Sequence, residues 1–192
     1  MAPFVGLTGG LGAGKSEALR LLGELGAATL STDAVVHELL ATDEVRDQIV
    51  ARLGPDVVGD GALDRSAIAA RVFGDDEARE WLEGLLWPLV GERIATWRAE
   101  VGDDRVAVVE VPLLFESGME NVFDRTIAVV ADEEVREQRA AARGHASLAE
   151  RAGRQLPQAE KAEKADYTVR NDGSMRELRE SLSLLLGKLE MS

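Results

Sequence analysis

An apolar run, PFVGLT, leads straight into GGLGAGKS at residues 9–16, and few folds accommodate that junction. The stretch fits G-x-x-x-x-G-K-[ST], with Gly9 and Gly14 as the two fixed glycines and Lys15 and Ser16 after them. A phosphate chain needs several backbone N–H groups pointing at it from close range, and glycines let the backbone turn and approach without a Cβ in the way. The loop must then open a helix, whose N-terminal N–H groups and dipole favour an anion. Lys15 supplies a point charge for the outer phosphates and Ser16 a hydroxyl for a magnesium ion. The required context is strand, loop, helix. Phe4–Leu7 reads as the strand. Ala18, Leu19, Leu22 and Leu25 recur at helical spacing, and Gly26 is the expected stop.

Beyond that junction, strands alternate with helices. Strands are expected at 27–31, 106–111 (VAVVEV), 126–131 (TIAVVA) and 167–170 (YTVR). Such near-continuous apolar runs suit a parallel sheet covered on both faces, joined by right-handed helical crossovers. One connection is much longer than a crossover needs. Between the second and third strands the pattern predicts helices over 34–40, 43–53, 64–72, 77–87 and 90–101, with Asp64 as an N-cap and GPDVVGDGAL as a loop. An insertion of this size is expected to receive a second substrate; the alternative is a helical elaboration with no ligand.

The formal net charge of −13 argues against general binding to nucleic acid or to an anionic membrane. It also sits awkwardly with an anionic ligand. Residues 136–170 are the local exception, with eight basic and five acidic side chains, including Arg136, Arg139, Arg143, Arg151 and Arg154. Charge alone leaves two readings, a solvated helical face or a basic lid over phosphates. With no cysteine, disulfides and thiolate zinc sites are excluded. The strand begins too early for a leader, and no stretch approaches the roughly 20 apolar residues of a membrane span. A cytoplasmic protein is expected.

Several acids fall where chemistry would need them. Asp33 follows the second strand, and ligands of open α/β sheets bind beyond the carboxyl ends of strands. It is either a base for an attacking hydroxyl or the N-cap of the next helix. Glu110 ends the third strand, where a carboxylate would hold the magnesium shell, since a charge in so apolar a run is costly without a task. Glu116 either orients substrate or pairs with an arginine. Asn171-Asp172-Gly173 closes the last strand as turn chemistry, at a place that also suits contact with a nucleotide base. His37 and His145 carry no metal or triad pattern. Trp81, Trp87 and Trp97 read as core or groove lining of the insertion.

Laid out in this way, the chain resembles the dephospho-coenzyme A kinase family almost end to end. VGLTGGLGAGKS looks like the family's opening, TDAVVHELL its segment after the second strand, and GDGALDRSAIAARVF its G-x-L-D-R…V-F stretch. VEVPLLFESGME resembles D-x-P-L-L-F-E, EQRAAARG with Arg154-Gln155 the arginine-bearing lid, and ADYTVRNDG the closing A-D-x-x-I-x-N-x-G. The resemblance implies an α/β P-loop kinase with a five-stranded parallel sheet in the order 2-3-1-4-5 and helices on both faces. Residues 1–33 and 105–192 would form the nucleotide-binding core, with a lid at about 136–164, and 34–104 the acceptor-binding insertion. The γ-phosphoryl of ATP would pass to the ribose 3′-hydroxyl of dephospho-coenzyme A. Gly9, Gly10, Leu11, Gly12, Ala13, Gly14, Lys15, Ser16 and Glu17 would cradle the nucleotide phosphates, with Asn171 nearby. Ser16 and Glu110 would hold Mg2+. Asp33 would act as base or orient the hydroxyl, and Arg139 and Arg143 would close over the phosphates. A monomer or weak homo-oligomer is expected.

Three positions depart from the family pattern: Ser31 replaces the first acid of a D-x-D triplet, Trp87 the histidine of H-P-[LI]-V, and Glu110 the usual aspartate before P-L-L. Rival readings are another nucleoside or nucleotide kinase and a catalytically weak ATP-binding relative. A guanine-specific switch would carry N-K-x-D after a late strand, and none is present.

Overall fold

The apolar runs do assemble side by side. A computed structural model describes residues 1–142 and 155–191. In chain order the elements are β1 (Phe4–Gly9), α1 (Lys15–Glu24), β2 (Ala28–Ser31), α2 (Thr32–Leu40), α3 (Asp43–Leu53), β3 (Val58–Gly59), β4 (Ala62–Leu63), α4 (Arg65–Val72) and α5 (Asp76–Val101). Then come β5 (Ala107–Glu110), β6 (Arg125–Val130), α6 (Glu133–Ala142), α7 (Gln158–Lys164), β7 (Tyr167–Arg170) and α8 (Met175–Glu190). Five strands form one sheet in the order β2-β5-β1-β6-β7, every neighbouring pair parallel. Counting those five alone gives the expected 2-3-1-4-5; the small hairpin β3-β4, which was not expected, shifts the numbering.

The chain divides into two compact units, Met1–Ser31 with Arg98–Ser192, and Thr32–Trp97. In the first, β1 is buried along its whole length, as a central parallel strand must be. Val5, Leu7, Val108, Ile127 and Val129 meet Leu21 and Leu22 of α1 and Leu178, Leu182 and Leu189 of α8 in one core. The opposite face of β1 is met by Leu114 and Phe123, which close over Gly6. α1 has Gly14 as its N-cap and Leu25 as its C-cap, with Gly26 taking the left-handed conformation that stops it. A capping box between Ser174 and Glu177 starts α8.

The second unit has its own core, Val45, Ile49, Leu53, Val57, Ile68 and Ala78, against which Trp81 packs. Asp64 caps α4 as expected, accepting from the N–H groups of Ser66 and Ala67 at 2.8 and 3.3 Å. Three local expectations are corrected. The two helices expected over 77–87 and 90–101 are one, α5, running through Pro88. An interior proline costs a helix about 3 kcal/mol, but Leu82, Leu85, Leu86 and Leu89 pack on the same core from both sides of it, and the ring lies on the exposed face. GPDVVGDGAL is not a plain loop: a 3₁₀ turn over Pro55–Val57 leads into the hairpin. Its two turn residues, Asp60 and Gly61, have φ of 50° and 83°, as a primed hairpin turn requires. Finally, α2 begins at Thr32, so Asp33 is a first-turn residue and not the N-cap. Among the described residues no helix is long and apolar enough to cross a membrane.

Candidate active site

The glycine loop lies between β1 and α1, moulded by what surrounds it. Gly12 has φ +76°, and a Cβ there would sit 2.9 Å from the Arg136 carbonyl oxygen. Gly14 has φ +93°, and a Cβ there would collide with Asn171 Nδ2. Any side chain at either position would push the loop off its wall. Lys15 folds back across the loop, its Nζ donating to the carbonyls of Gly9 and Gly10 at 3.3 and 3.2 Å. Ser16 is exposed in the first turn of α1.

Asn171 is 4% exposed at the carboxyl end of β7. Its Nδ2 donates to the Ala13 carbonyl at 2.8 Å, and its backbone N–H donates to the Val130 carbonyl at 2.8 Å. Its Oδ1 accepts from Arg139 Nη2 at 3.4 Å. Both ends of the amide are therefore engaged, one on the loop and one on an arginine. Arg139 Nη1 is buried and has no partner among the described residues. It lies 3.8 Å from where a Cβ on Gly14 would be, so it reaches the loop itself. A buried cationic nitrogen left without an acceptor is costly, and an anion in the loop would satisfy it. The donor set fits phosphate for that reason. Arg136 grips the loop from the other side, Nε donating to the Leu11 carbonyl at 2.8 Å.

The carboxylates fall in separate surroundings. Glu110 is 5% exposed at the end of β5, in register with Leu7 on one side and Ser31 on the other. Among the described residues no three His, Cys, Asp or Glu side chains cluster as a metal site. A cation held at Ser16 and Glu110 would therefore complete its shell with phosphate oxygens and water, as Mg2+ does. Among the described residues Glu116 pairs with a lysine, Lys161, at 2.9 Å. Asp33 lies in the first turn of α2 with its side chain exposed. Arg143, His145, Arg151 and Arg154 lie outside the described residues; α6 and α7 flank that stretch.

Three further residues make contacts to which sequence reasoning assigned no role of their own. Asp166 Oδ2 accepts from both the N–H and the hydroxyl of Thr126, at 2.7 and 2.9 Å, and so pins the start of β6. Gln158 clamps Ala131 at the other end of β6, Oε1 accepting its N–H at 3.2 Å and Nε2 donating to its carbonyl at 2.7 Å. Lys161 is fully buried. Only Asp166 had a signal, an acid set against the start of an apolar strand. Gln158 and Lys161 look like ordinary surface positions of a charged helix.

A model of the dephospho-CoA kinase family matches residues 3–177. The chain belongs to that family. A dephospho-CoA kinase of Protochlamydia amoebophila is 39% identical over 195 residues, covering 97% of this chain and 96% of the relative. One from Chromobacterium violaceum is 42% identical over 184 residues, with 92% and 89% covered. Among solved structures, a Thermus thermophilus protein is 34% identical with a TM-score of 0.80, covering 97% of each chain. The dephospho-CoA kinase of Campylobacter jejuni has a TM-score of 0.73 at 24% identity, covering 98% of this chain and 97% of that one. A shikimate kinase of Acinetobacter baumannii, TM-score 0.53 at 17% identity and with 100% and 97% covered, shares the fold alone. As a dephospho-CoA kinase the chain is an ATP-dependent transferase. The family's closing A-D-x-x-I-x-N-x-G is here a pair of structural ties, Asp166 to β6 and Asn171 to the glycine loop.

Proposed function

We propose that this kinase moves the γ-phosphoryl of ATP to the ribose 3′-hydroxyl of dephospho-coenzyme A, the last step of coenzyme A biosynthesis. The observation that carries the reading is the buried Nη1 of Arg139 beside the glycine loop, without a partner among the described residues. The loop N–H groups from Gly9 to Glu17 hold the β- and γ-phosphates, and Lys15 leaves the loop carbonyls to follow the migrating charge. Ser16 and Glu110 would hold Mg2+, which would supply charge neutralisation to the phosphates. Asp33 takes the proton of the 3′-hydroxyl as its oxygen bonds to phosphorus; the bond from phosphorus to the β,γ-bridging oxygen breaks, and ADP leaves. Arg139 and Arg143 stabilise the charge on the transferring group. The 34–104 insertion receives the acceptor. ATP and Mg2+ as co-reactants make the cytoplasm its compartment.

Coupled ADP release tests this, comparing dephospho-coenzyme A with adenosine, AMP and no acceptor. Release that depends on dephospho-coenzyme A, with coenzyme A as product, is expected, and it would show that Ser31 and Trp87 are tolerated. Release with adenosine or AMP instead would make the protein a nucleoside or nucleotide kinase. ADP binding without turnover on any acceptor would make it a non-catalytic relative.

A further inference from the structure

Lysine is almost never fully buried unless it is paired, and Lys161 of α7 is 0% exposed. Its Nζ donates to the Pro112 carbonyl at 2.6 Å and pairs with Glu116 Oε1 at 2.9 Å. Stability alone does not account for this arrangement, because apolar residues of similar volume often serve as well as a buried ion pair or better. Glu116 Oε2 is also buried and has no partner among the described residues. What the ammonium supplies that an apolar side chain would not is a donor for the Pro112 carbonyl.

That carbonyl sits at a junction. Pro112 follows Glu110 by two residues, and its oxygen also accepts from the hydroxyl of Thr8 at 3.3 Å. Thr8 immediately precedes Gly9, where the glycine loop begins. Between them the Val111 N–H donates to the Leu7 carbonyl at 2.8 Å, the last rung of the β1-β5 ladder. Glu110 is the last ladder residue before that rung, in register with Leu7; past it one strand carries the glycine loop and the other turns at Pro112, and nothing in a parallel ladder fixes the spacing of these two exits. Lys161 does so from below. Glu116 Oε1 accepts a second donor, the Leu156 N–H at 2.7 Å, which ties the start of the 156–164 segment to the same point.

We propose that Lys161 is a positioning residue for magnesium. Its ammonium holds the Pro112 carbonyl against Thr8 and thereby keeps Glu110 in place relative to the glycine loop. Lys161 is too buried to touch substrate and acts through Pro112. The proposal rests on the phosphate-site reading, and more narrowly on Glu110 facing the metal.

The test uses Lys161→Met, Lys161→Arg and the double variant Glu116→Gln/Lys161→Met, which removes both charges together. Three quantities are read: melting temperature, ADP affinity by calorimetry with and without Mg2+, and the Mg2+ concentration giving half-maximal turnover. In Lys161→Met we expect a melting temperature well below that of the parent, a several-fold rise in the Mg2+ requirement, and a matching loss of the Mg2+-dependent part of ADP affinity. Magnesium-free ADP affinity should change less than about twofold, since the loop keeps its own wall of Asn171 and Arg136. Lys161→Arg, which keeps a donor, should recover part of the Mg2+ response. The double variant is decisive. It should regain most of the melting temperature yet keep the raised Mg2+ requirement, because the Pro112 carbonyl still lacks the ammonium and keeps only the Thr8 hydroxyl. Recovery of both together would reduce the pair to a structural contact and overturn the proposal, as would a folded Lys161→Met with the parent's Mg2+ response. Because ADP and Mg2+ binding are read without turnover, the outcome stands apart from whether dephospho-coenzyme A is the acceptor.

Discussion

Replacing Asn171 by alanine unties the glycine loop from its wall and reports on the whole phosphate cradle. The lost bond is the 2.8 Å contact from Nδ2 to the Ala13 carbonyl, made by two residues that are 4% and 0% exposed. Arg139 loses its 3.4 Å contact to Oδ1 in the same step. A buried acceptor deprived of its donor costs about 1–3 kcal/mol. At roughly 2–4 °C per kcal/mol for a chain of this size, the melting temperature should fall by roughly 2–12 °C. If the loop instead relaxes to find water, the free protein is spared that cost and the ligand must restore the cradle. Phosphate affinity then falls by roughly 5–150-fold, at 1.4 kcal/mol per tenfold. Calorimetric titration with ADP and with inorganic tripolyphosphate separates the possibilities. Since Asn171 engages the loop and an arginine, both ligands should weaken by the same factor. Loss of ADP affinity with tripolyphosphate unchanged would place Asn171 against the base and refute the reasoning. So would a variant whose melting temperature and affinities all match the parent's.

Arg139→Ala should cut turnover roughly 10²–10³-fold, the usual effect of losing one donor to a developing charge, while ADP affinity measured by calorimetry moves far less; a raised Michaelis constant with turnover intact would contradict it. Asp33→Asn should lower phosphoryl transfer roughly 10²–10⁴-fold in a single-turnover assay if the side chain is the general base, and near-normal transfer would leave it only its place in the first turn of α2. Glu177 is held below its ordinary 4.5 by hydrogen bonds from the Ser174 N–H and hydroxyl. A depressed carboxylate contributes its stability above its ordinary value and loses it as pH falls through the folded one. Glu177→Gln should therefore melt below the parent at neutral pH, with the gap closing as pH falls below about 4.5; a gap independent of pH would show that the charge plays no part in the cap.

The junction of apolar run and glycine loop was legible because it is local: strand, turn and helix each leave their period in adjacent residues. The same holds for Asp64, whose capping role is decided within three residues of chain. The hairpin at Asp60-Gly61 had a local signal too, a D-G pair between short β-prone runs, but it was outvoted by the surrounding glycines and proline. Where distant packing decides, the pattern misled. Pro88 reads as a break until the leucines on both sides of it are seen on one core. The site divides along the same line. Lys15 and Ser16 could be named from the motif, whereas Lys161 could not, because its partners Pro112 and Glu116 are more than forty residues away and meet it only through the sheet. For Glu116 the sequence left open orienting substrate or pairing with an arginine, and the lysine it meets is brought to it by tertiary structure.

The tie between Asn171 and Ala13 spans 158 residues. A ribosome adding 5–20 residues per second makes the glycine loop first and its far wall roughly 8–30 s later. For all that time the nascent chain carries a nucleotide motif with an unfinished floor. On the phosphate-site reading proposed above, ATP would gain its full grip only when the last strand emerges and docks. Its binding energy is thus added late, to molecules whose sheet is already complete, and it acts as a final check on assembly and not as a seed for it.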